Sequence, residues 1–250
     1  MGFMKNNFLK LNASKTQVMF CGSPSMLSLY SQRFQELAKA LNIPDTSVLR
    51  SGKTLGAVLD EELKFDKMIS DVCQAAYCKL NELKSMRNSI GEDLRLSLVK
   101  CYILSKLDYC NFLYANATNK QLKPLQKCLN AGMRYIFSIR RSQHVTPYLK
   151  RAHVLPIRFR IIYKLCMYVY KINNGLAPEY LNSLVTKRET SRQLRSTMDE
   201  TLVATHYEPS TIAFRMCSEW NQLPRELREA PSIDSFKKYL KTHLFRRAFD

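Results

Sequence analysis

Chemistry on phosphodiesters needs carboxylates that hold metal ions, or cations that hold the phosphates, and this chain is poor in the first and rich in the second. Two-metal catalysis requires at least two acids brought together so that Mg²⁺ bridges the attacking hydroxyl and the phosphate oxygens. The candidates are Asp60-Glu61-Glu62 with Asp66 close behind, and Asp108, after which no acid follows until Glu179. The first group reads as a solvated acidic turn at a strand end, and Asp108 stands alone on a helix. The cations are concentrated. Tyr109 to Pro178 carries 12 Lys and Arg residues and no Asp or Glu. That stretch supplies most of the net charge of +18. Lys120, Lys123, Lys127 and Arg134 fall on one helical pattern, where Lys123, Lys127 and Arg134 share a flank beside Leu125, Leu129 and Met133. Arg140 and Arg141 extend it, and Lys150, Arg151, Arg158 and Arg160 follow. A solvated basic face would account for the charge, but the stretch is also apolar and helix-patterned, unlike a flexible basic tail. That combination favours a surface for an anionic polymer.

Other chemistries find little support. The eight cysteines include no C-x-x-C pair, and no histidine lies at a finger-like offset from two of them. No zinc or other cofactor is expected. Cys73, Cys101, Cys128 and Cys166 fall within apolar helical patterns, where free cysteine behaves as a small hydrophobe. His144, His153, His206 and His243 have no Ser or Cys partner at a readable spacing. Tyr163, Tyr168 and Tyr170 have the flat faces that stack on bases, but tyrosines on so apolar a helix are more often core.

The elements that must position these residues are mostly helical. A chain of 250 residues with 46% apolar residues and only 7 Gly is long enough for a real core and favours helices over a sandwich. Lys15 to Cys21 reads as a short strand, Met26 to Leu41 as a helix or irregular insert, and Val48 to Asp60 as a hairpin or strand around Ser51-Gly52. From Asp66 the period becomes helical: Ile69, Val72, Ala76, Leu80 and Leu83 form one apolar face. Asp93 to Tyr114 is a second helix with Leu94, Leu98, Tyr102 and Tyr109 as its buried candidates. A third, from Asn119–Lys123 onward, buries Leu122, Leu125, Leu129, Met133 and Ile136. Arg140 to His144 is a basic turn, Pro147 to His153 a short helix, and Ile157 to Asn173 a long one closed by Asn174-Gly175. Thr186 to Pro209 is rich in Thr, Ser, Arg and Glu and reads as a poorly ordered connection. Thr211 to Asn221 and Ser232 to Arg247 close the chain as helices, with Trp220 as a packing anchor. The start lacks a signal-peptide pattern and the longest apolar run, Ile161 to Tyr170, is too short for a bilayer. A soluble, intracellular protein, nuclear or cytoplasmic, without a membrane partner is expected.

Several phrases carry a resemblance. Asn7 to Thr16 (NFLKLNASKT) and Thr54 to Asp60 (TLGAVLD) are followed by Ser105 to Asn111 (SKLDYCN) and His144 to Pro147 (HVTP). Leu155 to Ile161 (LPIRFRI), Asn174 to Pro178 (NGLAP), Trp220 to Pro224 (WNQLP) and Phe236 to Phe245 (FKKYLKTHLF) complete the series. In this order they resemble the C-terminal part of a reverse transcriptase from LINE-type, non-LTR retrotransposons of the jockey-like group. Each phrase is weak alone; together they span nearly the whole chain. Phe3-Met4, where a Trp-Met pair is common, and the Met26 to Leu41 insert depart from the pattern.

The resemblance implies a fold and a role. The fold class expected is mainly α: a helical thumb-like bundle and C-terminal helices, with a small α/β remnant of a polymerase palm at the N-terminus. The implied divisions are 1–62 for the palm remnant, 63–140 for the thumb-like bundle, 141–185 for a basic helical extension, 186–210 for a linker and 211–250 for the last helices. The family's metal-binding aspartate box lies upstream of the first phrase, so no catalysis is expected of this chain alone, and Mg²⁺ would be expected only with the complete polymerase. Lys15 matches the lysine that sits near the incoming nucleotide's phosphates; without metal aspartates, an exposed lysine before a strand is its simpler reading. The expected partner is nucleic acid, RNA or an RNA–DNA hybrid, and the expected contacts are Lys15, Lys123, Lys127, Arg134, Arg140, Arg141, Lys150, Arg151, Arg158 and Arg160. If ~6 of these met phosphates, affinity would fall about a thousandfold between ~50 and ~200 mM salt. The alternatives are a helical protein-interaction module, with a palm supplied in trans as one partner, and an inert retroelement remnant.

Overall fold

The computed structural model describes residues 6–8, 17–40, 48–186, 201–203 and 207–250. The chain divides into two compact units, Met1–Met68 and Ile69–Asp250.

In the first unit, α1 (Pro24–Ala40) meets the expected helix, and its only buried residue is Ala38. Phe20 and Phe34 stack with ring centroids 5.4 Å apart. Of the expected strand at Lys15–Cys21, the described part contributes a single parallel bridge from Val18 to Val48, while Lys15 lies outside the described residues. β1 (Ser51–Thr54) and β2 (Ala57–Asp60) form an antiparallel hairpin. Its turn is at Leu55-Gly56, not at Ser51-Gly52, and both turn residues have positive φ, +48° and +85°. Two such residues make the tight turn whose twist matches that of paired strands, which is why the glycine falls second. The carboxylate of Asp60 then accepts the backbone N–H groups of Lys64 (2.9 Å) and Phe65 (2.7 Å), so this acid caps a turn.

The described residues of the second unit are mainly helical. On α2 (Asp66–Lys84) the residues Ile69, Cys73, Ala76, Leu80 and Leu83 are buried. The next helix begins at Gly91 and runs as α3 (Glu92–Val99), a π-helical turn (Lys100–Leu104) and α4 (Ser105–Asp108). Its buried face is Val99, Ile103, Leu104 and Leu107, whereas Leu94, Tyr102 and Tyr109 are exposed and Leu98 is half-buried. The expected face is therefore displaced by one residue, which on a helix is a rotation of about 100°. Cys101, expected in an apolar pattern, is exposed for the same reason.

A short 3-10 turn (Asn111–Tyr114) leads to α5 (Asn119–Phe137). Thr118 and Gln121 cap each other's backbone at its start. The five predicted apolar positions, Leu122, Leu125, Leu129, Met133 and Ile136, are all buried, each contributing about 1.5–3 kcal/mol relative to exposure. Gly132 faces α3: a Cβ there would lie 3.1 Å from Val99 Cγ1, close enough that Val99 would have to give by a few tenths of an ångström. α6 (Thr146–Arg151) and α7 (Ile157–Asn173) follow, the latter closed by Gly175 at φ +66°. Of the expected connection Thr186–Pro209, residues 187–200 and 204–206 lie outside the described residues. Its Leu202 is buried and clamped by the side-chain amide of Asn221, which accepts its N–H at 2.9 Å and donates to its C=O at 2.8 Å.

α7 is the hub of the unit, packing against α5, α8 (Ile212–Asn221) and α10 (Ile233–Phe249). α9 (Arg225–Arg228) lies between the last two in sequence. Tyr170 on α7 stacks on Phe236 of α10 at 4.3 Å and donates to the Ala230 carbonyl at 2.9 Å, and Trp220 packs against the same phenylalanine. Tyr168 meets Phe112 edge-on, so two of the three tyrosines considered for base stacking are packing residues. α5, α8 and α10 thus share one core through α7.

Candidate nucleic-acid interface

Helices α2 and α5 meet at their C-terminal halves, where the Tyr135 hydroxyl donates to the Leu83 carbonyl at 3.0 Å. Nearer the middle, Cys128 lies against the Cys73 carbonyl. Solvent enters above this seam in a cleft of about 790 Å³. Its polar lining is Lys84, Arg87, Lys127, Arg134 and Arg141 with Asn130, its aromatic lining is Tyr77 and Tyr135, and no acid takes part. Each cation has a local reason for its place. Lys84 is the last residue of α2, where the carbonyl end of the helix favours positive charge. It also donates to the Asn81 side chain at 2.8 Å. Arg87 lies in the turn that follows, and Lys127 projects from α5 beside the buried stripe.

Arg134 has a different task. Its guanidinium reaches the carbonyls of Arg141 (3.5 Å) and Gln143 (3.3 Å), holding the turn after α5 against the helix. The turn is further tied by Arg140 N–H donating to the Gln143 side chain at 3.1 Å. The α5 helix stops at Ser138, which takes the left-handed conformation at φ +57°. This bracing points Arg141 into the cleft. A second hollow of about 500 Å³ shares Asn130, Arg134 and Arg141 and adds His144. Tyr77 is 40% exposed. Burial and the neighbouring Cys128 push its phenol up to about 12, so it presents a neutral ring at pH 7.

The ten expected contacts therefore divide. Lys15 lies outside the described residues. Lys123, Lys127, Arg140, Arg141 and Lys150 are exposed, with Lys150 seated 5.7 Å above the Phe249 ring. Arg151 is exposed but pairs with Glu92 at 2.5 Å and stacks over Phe137 at 4.9 Å. Arg158 is half-buried and donates to the Ala117 carbonyl at 3.2 Å. Arg160 grips Asp108 with two bonds, Nε to Oδ1 at 2.7 Å and Nη2 to Oδ2. Arg158 and Arg160 thus do not continue an open row from Arg140 and Arg141; they brace α7 against the segment before α5. Lys84 and Arg87 were not anticipated, because they precede the acid-free stretch. Of the two, Lys84 had a local signal, a cation in the last turn of a helix.

The acids are similarly occupied. Asp60 is a turn cap, and Asp108 holds Arg160 and accepts from Asn111 at 3.3 Å. Among the described residues no group of three or more His, Cys, Asp or Glu is placed to hold a metal ion. No described helix is long and apolar enough to cross a membrane. Fold and cleft together define a mainly helical protein with a concave cationic surface. No protein-family model, curated protein or solved structure matches the chain.

Proposed function

We propose that the chain binds the phosphate backbone of RNA or an RNA–DNA hybrid through the α2–α5 cleft, as the thumb and C-terminal segment of a LINE-type reverse transcriptase and without nucleotide transfer of its own. The observation that carries the reading is the cleft lining: five cations from two helices and the turns that follow them, two tyrosines, and no acid. An A-like duplex offers proteins its phosphates and its shape rather than a readable deep groove. Lys84 and Lys127 act as point charges, while Arg87 and Arg141 make forked contacts with phosphate oxygens. Tyr77 offers a ring at the cleft wall. Arg134 positions Arg141. Nothing in this arrangement reads bases.

The test is binding of the purified chain to a labelled RNA–DNA hybrid across a salt series, beside the charge-reversed variant R87E/K127E/R141E. With four phosphates engaged, affinity falls about a hundredfold between ~50 and ~200 mM salt. The variant loses most of the binding and most of the salt slope. Weak binding that the variant leaves unchanged overturns the reading. A second reading has its own observation: Leu94 and Tyr102 on the helix from Glu92 to Asp108, and Tyr109 just past its end, expose about half their surface (51%, 48% and 49%). Such a face suits a protein partner, including a palm supplied in trans, and predicts association that salt does not weaken.

A further inference from the structure

A separate cavity of about 300 Å³ is lined by Asp108, His153, Arg160, Tyr163, Lys164 and Lys241. It shares no residue with the cleft. Asp108 and Arg160 neutralise one another through their paired bonds. What remains is Lys164 from α7 and Lys241 from α10, two cations on different helices turned to one space, neither with an acid partner among the described residues. Lys164 is half-buried. Lys241 is exposed, so the two ammonium groups stand at the mouth of the space, where a bound anion would match both. His153 ends the turn after α6 in the left-handed conformation at φ +51°. Its ring lies 5.7 Å from that of Phe245. His153 and Tyr163 both line this space, which is at the small end of ligand pockets.

We propose that this cavity binds a phosphomonoester bearing a flat ring, of mononucleotide size. Lys164 and Lys241 hold the phosphate, while Tyr163 and His153 flank the ring. The Asp108–Arg160 pair forms a fixed wall that adds no net charge. The ligand comes from one of two sources, a free nucleotide or the phosphorylated end of a strand. The inference does not depend on the cleft, because the two sites use different side chains.

The experiment is calorimetric titration of the full chain with adenosine 5′-monophosphate, with adenosine, and with inorganic phosphate. Expected is saturable one-to-one binding of the nucleotide, with adenosine at least tenfold weaker because the charge-assisted contacts are missing. The variant K164Q/K241Q loses tenfold or more of the nucleotide affinity while its salt-dependent binding of RNA–DNA hybrid is unchanged. K164R/K241R, which keeps the charges, retains nucleotide binding and separates lost charge from lost fold. Displacement of the nucleotide by a 5′-phosphorylated oligonucleotide, but not by its 5′-hydroxyl form, assigns the site to strand ends; displacement by neither assigns it to free nucleotide. Absence of saturable nucleotide binding, equal binding of adenosine, or an unaffected K164Q/K241Q variant overturns the proposal. Loss of hybrid binding in the cleft variant leaves it standing.

Discussion

Along α5 and the turn after it, Lys127 and Arg141 face water in a concavity, whereas on α7 Arg158 and Arg160 fold back onto Ala117 and Asp108. Both groups belong to the same acid-free stretch of sequence. The difference comes from acids and carbonyls contributed by other segments: Asp108 stands 52 residues before Arg160. Glu92 reaches Arg151 from 59 residues away. A run without carboxylates is thus not a region without them once the chain is folded. Charge that remains available to a partner is charge the protein has not already matched.

This contrast can be broken most severely at the cleft. The R87E/K127E/R141E variant should lose about a hundredfold or more of hybrid affinity at low salt, with little change in urea stability, because its targets are exposed or at a turn. The opposite result, unfolding without a specific binding loss, would place these cations with the bracing group. On the other side, Asp108→Ala removes the acid from a partly buried pair and strands Arg160 and Asn111. The side chains are 29% and 18% exposed for Asp108 and Arg160, so the cost should be roughly 2 kcal/mol in urea unfolding rather than the full penalty of a buried pair. Replacing both members, as D108L/R160M, should recover much of that loss while hybrid binding stays near its original value. Thr118→Ala, which opens the capping box of α5, should cost about 1 kcal/mol and loosen the helix that carries Lys127. The smallest effect concerns pH. Burial, with Arg247 and Arg246 nearby, holds His243 below the ordinary histidine value of 6.5. The unfolded chain therefore takes up the proton first. Stability is full above about 6.5 and declines as pH falls toward the folded value. His243→Asn should flatten that decline in acid titrations followed by circular dichroism.

How much was legible depended on whether a residue's environment is local. The α5 stripe from Leu122 to Ile136 follows a regular spacing along an unbroken helix, so each apolar position predicted as core is buried. The helix starts at Thr211 and Ser232 were readable because capping is a matter of adjacent residues, and each side chain accepts a backbone N–H of its own first turn. On the preceding helix the same reasoning selected Leu94 and Tyr102, which are exposed. The shift is the same before and inside the π-helical segment, Leu98 to Val99 and Tyr102 to Ile103, because two apolar series one residue apart compete along this helix and only packing chooses between them. The cleft was half legible. Lys127, Arg134 and Arg141 stood out by composition, while Lys84 and Arg87 come from a segment of mixed charge and join them only through tertiary packing. The pairing of Arg160 with Asp108 could not be read from spacing at all. It joins two of the phrases that carried the resemblance, SKLDYCN and LPIRFRI, which here act as the two halves of a structural joint.

The π-helical turn at Lys100–Leu104 has a consequence for how length is counted along this helix. It holds one residue more than a regular turn would, so the segment behaves as a stored insertion. Deleting a single residue there should return the turn to α-helical geometry and leave both flanks facing as they do, with Val99 still opposite Gly132. The same deletion made within the regular turns of α3 would instead rotate the upstream half by about 100° and carry its side chains off the face that meets α5. The π turn is thus a place where this helix can lose a residue without being re-registered against its neighbour.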